Sequence, residues 1–163
     1  MGFHQQLKNK LVDRKALAGN LSLLRSQEKT VVFTNGCFDI LHPGHVDYLC
    51  QARDLGDFMI LGLNTDASVK KLNKAPNRPI NNELARAGVL AGLACVDAII
   101  FFDEETPYDL ISFVMPNVLV KGDDYSVEQI VGHDIVLANG GKVITVPLLQ
   151  GFSTTAILKK ITG

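Results

Sequence analysis

The chain has 163 residues, of which 47% are hydrophobic and 20% are charged, a balance typical of one globular domain that buries a core. The formal net charge of −1 and the sequence pI near 6.4 argue against broad adhesion to nucleic acid, because that mode of binding needs a basic face. The start lacks the apolar core of a signal peptide, no run approaches the roughly 18 apolar residues that span a bilayer, and the three cysteines form no paired framework, so we expect a cytoplasmic protein without membrane insertion.

Residues 5–26 open the chain with apolar residues at helical spacing, interrupted near Gly19, and they predict one or two leading helices. After this leader, strand-like runs alternate with helix-like runs. The predicted strands cover residues 30–35, 57–64, 96–102, 117–121 and 142–147, and the predicted helices cover residues 44–55, 82–94, 107–115, 128–139 and 154–161. This alternation predicts an α/β fold, a Rossmann-like open parallel sheet of about five strands with helices on both faces. We expect a helical leader over residues 1–29 and one domain over residues 30–163.

Two of the predicted helix starts carry capping residues. Thr106 and Pro107 precede Asp109, an order of cap, first-turn proline and early acid. Ser153 stands directly before the helical run that begins at Thr154. These residues predict where the helices over 107–115 and 154–161 begin.

The stretch over residues 31–45, Val-Val-Phe-Thr-Asn-Gly-Cys-Phe-Asp-Ile-Leu-His-Pro-Gly-His, joins a buried strand to two of the four histidines. Gly36 lets the backbone turn closely, and Pro43 stands where a helix can begin. The free N–H groups and partial positive charge of a helix N-terminus favour an anion. His42 and His45 are three residues apart, so both rings can donate to the same phosphate oxygens. The pattern therefore indicates a phosphate site.

The residues alone leave two other roles open for this histidine pair. With Asp39 nearby, the two imidazoles could ligate zinc, although the cysteines form no Cys-x-x-Cys and no third histidine lies close in sequence. Both rings could instead cap and pack the start of a helix.

The same stretch matches the signature of the HxGH nucleotidyltransferase superfamily, and the chain resembles that family over residues 30–161. The matching positions are Gly36, Phe38, Asp39, His42, Gly44 and His45. The resemblance implies that the two histidines are catalytic and stabilise the α-phosphate of a nucleotide. A substrate phosphate would attack that phosphorus while pyrophosphate leaves. The domain over residues 30–163 is thus expected to be a nucleotidyltransferase domain.

In an open parallel sheet, the ligand lies beyond the carboxyl ends of the strands, where the strand order reverses. Three more polar segments follow predicted strands, over residues 64–66, 121–125 and 151–155. We expect these segments on the same rim as the histidines.

Nucleotide binding is expected from the motif and from two of these segments. The hydroxyls and free N–H groups of residues 153–155 suit the β- and γ-phosphates, with a plain N-cap as the alternative. The Gly-Asp-Asp-Tyr segment resembles the family's loop beside the base and ribose, where Asp124 would accept hydrogen bonds from hydroxyls; a turn without ligand is the alternative. The candidate nucleotide-binding residues are Thr34, Asn35, Gly36, Cys37, Phe38, Asp39, Lys121, Gly122, Asp124, Ser153, Thr154 and Thr155.

A lysine after the second strand completes the predicted catalytic set. The resemblance implies a lysine there that reaches the triphosphate, and Lys71 fits the place best, with Lys70 the adjacent candidate. Lysine suits this role as a mobile point charge on phosphate. A solvated helix face is the alternative.

The acceptor is expected to meet a loop over residues 73–82, which two prolines and three asparagines predict and which could close over the site. Arg78 in that loop and Arg86 beyond it are candidates to clamp the acceptor's phosphate bidentately, with Asp66 as a third substrate-binding candidate. A surface role is the alternative for both arginines.

The resemblance supports Arg86 in particular, because family members carry an arginine at this place, ten residues before a Val-Asp pair. Relatives usually have glutamate two residues before that arginine, whereas this chain has Leu84 there and Glu83 one place earlier. The sequence therefore leaves the partner of Arg86 open.

Within the superfamily, the chain is most similar to the adenylyltransferase domain of bacterial ADP-heptose synthases. The residues that carry this similarity lie over 33–42, 77–81, 120–125, 138–141 and 153–155. It implies transfer of AMP from ATP to a heptose 1-phosphate, giving ADP-heptose for lipopolysaccharide or surface glycan. It also implies Mg²⁺ held mainly by the nucleotide phosphates and water, without a metal site of the protein's own.

That domain is often fused behind a sugar kinase. Because the chain has only its short helical leader, we expect a stand-alone form that cooperates with a separate sugar kinase. Relatives of this type commonly form dimers or larger assemblies, which implies a homo-oligomer.

Two alternatives belong to this interpretation. Glycerol-3-phosphate cytidylyltransferase shares the Gly-Asp-Asp and Ser-Thr-Thr elements, but it carries an Arg-Thr pair before its last loop. The matching stretch here, residues 147–151, has no arginine, which favours adenylyl transfer. A nucleotide-binding regulatory module without chemistry is the remaining alternative.

Overall fold

The computed structural model describes residues 2–72 and 77–162, with the backbone alone at Thr162. In this part of the chain, five parallel strands form one sheet in the order β3-β2-β1-β4-β5. The strands are β1 (Val31–Gly36), β2 (Phe58–Asn64), β3 (Ala98–Phe102), β4 (Val118–Gly122) and β5 (Lys142–Val146). The predicted Rossmann-like parallel sheet is thereby confirmed.

Eight α-helices surround the sheet in the described residues. They are α1 (Phe3–Asn9), α2 (Arg14–Ser26), α3 (Pro43–Arg53), α4 (Asp66–Lys71), α5 (Glu83–Ala91), α6 (Tyr108–Val114), α7 (His133–Ala138) and α8 (Thr154–Thr162). No helix in these residues is long and apolar enough to cross a bilayer.

Alternate residues of the strands belong to two hydrophobic clusters, one on each face of the sheet. One cluster joins α3 and α5 to the sheet, and it includes Val32, Met59 and Leu61. The other joins α2, α6 and α7 to the sheet, and it includes Phe33 and Ile60. Because neighbouring strand residues point to opposite faces, both faces of these apolar strands are covered by helices.

The leader packs against the rest of the chain. Leu17 and Leu21 of α2 are 0% and 2% exposed and share a cluster with residues of β1 and β3. The backbone just before α2 pairs with the edge strand, where Val12 N–H donates to the carbonyl of Ile99 at 2.9 Å. The described part of the predicted leader thus shares the core of the domain.

The structure differs from the sequence-based expectations at the helix over 128–139, at α4 and at the start of α6. The helix over 128–139 is divided into a 3-10 turn (Val127–Gln129) and α7, because Gly132 adopts a φ of +82° between them. Helix α4 was not predicted, and its start is capped by the Thr65 hydroxyl, which accepts from Ser68 N–H at 3.1 Å.

The predicted cap at Thr106 is wrong. Pro107 is the residue before α6, and no side chain caps that helix. The Ser153 cap is confirmed, because its Oγ accepts from Ala156 N–H at 3.0 Å.

The sheet order also fixes where a ligand can bind. From β1 the chain proceeds outward through β2 and β3, then crosses to the other side to form β4 and β5. The order reverses between β1 and β4, and in such sheets the crevice lies beyond the carboxyl ends of those two strands.

Candidate active site

A cleft of about 730 Å³ opens at this point of strand reversal. Many of the predicted residues line it together: Asn35, Gly36, Cys37, Phe38, His42, His45, Lys121, Gly122, Asp124, Ser153, Thr154 and Thr155. Thr34, Asp39, Asp66, Lys71, Arg78 and Arg86 do not belong to its lining. The first group comes from the ends of β1 and β4, the start of α3 and the start of α8.

The histidine pair occupies the start of α3, with Pro43 in the first helical position. The two imidazole rings stack with centroids 3.7 Å apart and an interplanar angle of 18°. His42 is the N-cap residue, but its side chain makes no capping hydrogen bond. The capping role that the sequence left open is therefore not one that the His42 ring performs.

Three buried side-chain nitrogen and oxygen atoms of the described residues have no hydrogen-bond partner. They are Nδ1 of His42, Nδ1 of His45 and Oδ1 of Asn35, and all three residues line the cleft. Buried polar groups in folded proteins are normally paired. Their concentration in one cleft indicates a site that receives a polar ligand.

Both histidines are expected to be neutral near pH 7. Burial lowers the pKa of His42 below its ordinary value of 6.5. Burial, followed by the charges of His42 and Arg78, lowers the pKa of His45 to about 4, although a hydrogen bond with the backbone of Ile40 opposes this shift. A neutral imidazole still offers one N–H donor to a phosphate oxygen.

These shifts predict that the ligand-free protein is destabilised by acid. In the unfolded chain the histidines bind protons below about pH 6.5, whereas in the folded chain His45 resists protonation until about pH 4. The contribution of the neutral histidines to the free energy of unfolding is complete above the pKa of the unfolded chain. It is lost as the pH falls from there through the pKa of the folded chain.

We therefore expect Tm to decrease between about pH 7.5 and about pH 5, and to decrease less in His45→Gln. His4→Gln is the matched control, because His4 is an exposed residue of α1 outside the cleft, and it should keep the wild-type slope. Equal slopes of Tm against pH in wild type and His45→Gln would contradict the prediction.

Thr34 lies below the cleft and has a structural contact. Its hydroxyl is buried and lies 2.6 Å from the hydroxyl of Tyr48, which donates to the carbonyl of Val120 at 3.0 Å. This chain of bonds links β1, α3 and β4 beneath the site, and burial raises the pKa of Tyr48. Sequence analysis missed Tyr48, a polar residue on an apolar helix face.

Lys121 and the C-terminal loop form the opposite side of the cleft. The Lys121 ammonium donates to the carbonyl of Asn35 at 3.2 Å. Gly151 adopts a φ of +84° and turns the chain toward α8, whose first residue, Thr154, is only 8% exposed. Phe152 between them lies near the His42 ring, on the rim where its segment was expected, although the sequence analysis assigned its side chain no role.

The carboxylate of Asp39 accepts hydrogen bonds from the segment over residues 78–81. This fully buried carboxylate accepts from the N–H groups of Ile80 and Asn81 at 2.9 Å and pairs with Nε of Arg78 at 3.0 Å. Asp39 and Arg78 are therefore partners of each other in this structure. Their predicted roles in nucleotide and substrate binding remain predictions.

The structure identifies the hydrogen-bond partners of Arg86, which the sequence left open. Its guanidinium is fully buried and donates to Asp66 Oδ1 at 2.8 Å, to the Cys37 carbonyl at 2.7 Å and to the Asn81 carbonyl at 3.0 Å. Glu83 instead accepts from the backbone N–H of Asp66 at 2.7 Å. Asp66 is thus the carboxylate partner of Arg86, and the two form one network with the motif loop; substrate binding by Asp66 and Arg86 remains a prediction.

Lys71 lies at the end of α4, where its exposed side chain donates to the carbonyl of Asp103 at 2.8 Å. Its neighbour Leu72 lines the cleft, whereas Lys71 does not. Residues 73–76 of the predicted loop lie outside the described residues, so the expected closure of residues 73–82 over the site remains a prediction.

The described residues hold no group of three or more His, Cys, Asp or Glu side chains that could bind a metal ion. The zinc set that the sequence left open would need Asp39, whose carboxylate is occupied by the segment over 78–81. The carboxylates among the residues that line the cleft belong to Glu105 and Asp124.

The sheet order and the cleft define a Rossmann-like α/β domain with a polar cleft at the point of strand reversal. Comparison with known proteins identifies its family. The family model described as cytidylyltransferase-like matches residues 33–160. The chain belongs to this family, which confirms the resemblance to the HxGH nucleotidyltransferases.

Curated relatives are similar over most of this chain. The chain is 56% identical over 144 residues to bifunctional protein HldE of Nitrobacter winogradskyi, with 88% of this chain and 29% of the relative covered. It is 51% identical over 148 residues to the protein of the same name from Syntrophotalea carbinolica, with 91% and 30% covered. The chain thus spans about 30% of the length of these relatives.

Two solved structures are also similar. The lipopolysaccharide core biosynthesis protein from Thermoplasma volcanium has a TM-score of 0.60 and 26% identity, covering 74% of this chain and 97% of that one. The pantoate-beta-alanine ligase from Francisella tularensis has a TM-score of 0.59 and 17% identity, covering 93% and 76%, and supports the fold alone.

Proposed function

We propose that this chain transfers AMP from ATP to a heptose 1-phosphate, giving ADP-heptose and pyrophosphate. The observation that carries the proposal is the cleft itself, in which a stacked histidine pair at a helix start holds two buried nitrogens without partners. This is a place for an anionic group, because helix N-termini and imidazole N–H groups both donate to phosphate oxygens.

The reaction needs no covalent intermediate on the protein. An oxygen of the acceptor phosphate attacks the α-phosphorus, the bond from that phosphorus to the bridging oxygen breaks, and pyrophosphate leaves with the electron pair. His42 and His45 donate to the α-phosphate oxygens as negative charge grows on them. The rate then comes from positioning and charge stabilisation.

Pyrophosphate is accommodated by the C-terminal side of the cleft. The hydroxyls of Ser153, Thr154 and Thr155 stand at the N-terminus of α8, and Lys121 lines the same cleft. Lys71 remains our proposed counter-charge for the leaving group, and it must release the Asp103 carbonyl to act there.

Magnesium is the expected cofactor of this reaction, and it supplies charge neutralisation on the phosphates. Magnesium sites at nucleotide phosphates commonly use one or two carboxylates and several waters. The described residues hold no group of three or more metal-ligating side chains, so the nucleotide phosphates and water would supply most of the ligands, with Asp124 and Glu105 the carboxylates present in the cleft.

The sugar phosphate acceptor and the adenine base are supported by similarity. The HldE relatives are about half identical to this chain, and the Thermoplasma volcanium relative is described as a lipopolysaccharide core biosynthesis protein. The loop after β5, residues 147–151, lacks the arginine of the cytidylyltransferase alternative and instead places Leu148 and Leu149 on the cleft.

We further propose a cytoplasmic homo-oligomer that receives its acceptor from a sugar kinase. The cytoplasmic part is supported by Cys37, Cys50 and Cys95, which are free thiols. The proposed acceptor-side residues remain Arg78, Arg86 and Asp66. The acceptor phosphate would replace the Asp39 carboxylate as the partner of Arg78.

The test is release of pyrophosphate with Mg²⁺ and each of ATP and CTP, offered heptose 1-phosphate and glycerol 3-phosphate in turn. The proposal expects turnover with ATP and heptose 1-phosphate only. Turnover with CTP and glycerol 3-phosphate would replace it with the cytidylyltransferase alternative. ATP binding without turnover of any pair would overturn it in favour of a regulatory module.

A further inference from the structure

Phe152 lies over the histidine pair from the C-terminal side of the cleft. The centroids of the Phe152 and His42 rings are 6.4 Å apart and the interplanar angle is 22°, within the range of favourable aromatic pairs. His42 stacks on His45, and Phe38 approaches His45 edge-on with centroids 5.2 Å apart. The two histidines therefore lie inside a row of four rings, with Phe152 at one end.

A glycine makes this approach possible. A Cβ atom at Gly44 would lie 3.1 Å from Nδ1 of His42 and 3.2 Å from Cβ of Phe152, closer than most real side-chain contacts. The C-terminal loop and the His42 ring thus meet over a position of α3 that has no side chain.

The His42 ring lacks a hydrogen bond at its buried nitrogen. Nδ1 of His42 has no partner among the described residues, so no acceptor or donor there sets the orientation of the ring. The orientation of a histidine ring is normally set by such a bond. At His42, packing by the rings of His45 and Phe152 takes over that role.

We infer that Phe152 is a positioning residue for phosphate transfer, which acts by holding the His42 ring in its stacked orientation and shielding it from water. Its role in transfer rests on the proposed function, because it concerns the histidine that faces the α-phosphate. Its effect on the His42 ring is independent of any substrate. Phe152 itself is 46% exposed and makes no hydrogen bond through its side chain.

The first test follows the histidine rings by NMR titration in the substrate-free protein. Burial lowers the pKa of His42, so Phe152→Ala is expected to raise that pKa toward the ordinary value of 6.5. The charges that act on His45 are those of His42 and Arg78, and the other charged side chains that line the cleft are Lys121, Asp124 and Glu105. None of these groups is altered by the substitution.

Two variants control this experiment. Phe152→Tyr keeps the ring and should titrate like wild type. Phe3→Ala removes a phenylalanine of α1 that is 85% exposed and outside the cleft, and it should also titrate like wild type. An unchanged His42 titration in Phe152→Ala would overturn the inference, whether or not the protein is active.

The second test measures pyrophosphate release. Phe152→Ala is expected to lower kcat roughly threefold to tenfold, with KM for ATP changed by less than about twofold, and Phe152→Tyr is expected to restore kcat. A shifted titration with unchanged kcat would overturn the positioning role. A shifted His42 titration in Phe152→Ala, combined with a wild-type protein that turns over no substrate pair, would support the contact with His42 and overturn the proposed function.

Discussion

Replacement of His45 by alanine is expected to lower kcat by roughly 10² to 10³, with little change in KM for ATP. His45 is half-buried at the start of α3, stacked on His42 and flanked edge-on by Phe38. Its N–H donor is already oriented before substrate binds. Loss of this donor therefore raises mainly the energy of the transition state, in which charge develops on the α-phosphate. Pyrophosphate release under saturating ATP and sugar phosphate measures the effect.

The matched control is His4→Ala, which removes an exposed histidine of α1 outside the cleft. It should retain wild-type kcat and KM. Near-normal turnover of His45→Ala would remove this histidine from the reaction. A large rise in KM for ATP with unchanged kcat would assign it to ground-state binding instead.

Replacement of Arg86 by alanine is expected to lower the free energy of unfolding by about 3–5 kcal/mol. The guanidinium is fully buried, and its loss leaves the Asp66 carboxylate and the carbonyls of Cys37 and Asn81 without their donor. Tm should fall by on the order of 10 °C, as measured by thermal unfolding. Arg86→Lys should recover only part of this loss, because a single ammonium cannot reproduce the fork of a guanidinium.

The control for this variant is Lys29→Ala. Lys29 pairs with Asp57 at 3.4 Å on the surface, with side chains 47% and 44% exposed, and its loss should cost less than about 1 kcal/mol. Arg86→Ala should also raise KM for the sugar phosphate, since the network holds the segment over residues 78–81 and Asp66 in place. An unaffected KM in a folded variant would place Arg86 outside the acceptor pocket, and an unchanged Tm would contradict the burial argument.

The fold was largely predictable because its signals are local. Five apolar, β-branched strands alternating with helical runs require a parallel sheet covered on both faces, and the structure confirms this arrangement. The errors arose where short-range signals were weak. Helix α4 has only six residues, and the break before α7 depends on a glycine whose φ of +82° cannot be recognised from its neighbours.

The grouping of most cleft residues was also predictable. Residues 35–38 and 121–124 follow two strands of one parallel sheet, so they must meet at the same edge. The histidine pair and the hydroxyls of residues 153–155 begin helices that start from that edge. What these residues bind remains a prediction from similarity and chemistry.

By itself, the amino-acid sequence determined the strands, most of the helices and the presence of a His-x-Gly-His motif at a helix start, since periodicity, glycine and capping act over a few residues. Only the tertiary structure decided that Asp66 partners Arg86, that Asp39 holds the segment over residues 78–81, and that Phe152 covers His42. Each of these contacts joins residues at least twenty positions apart. Such pairs form because packing of the whole domain brings their elements together, and no local pattern encodes which distant partner each side chain meets.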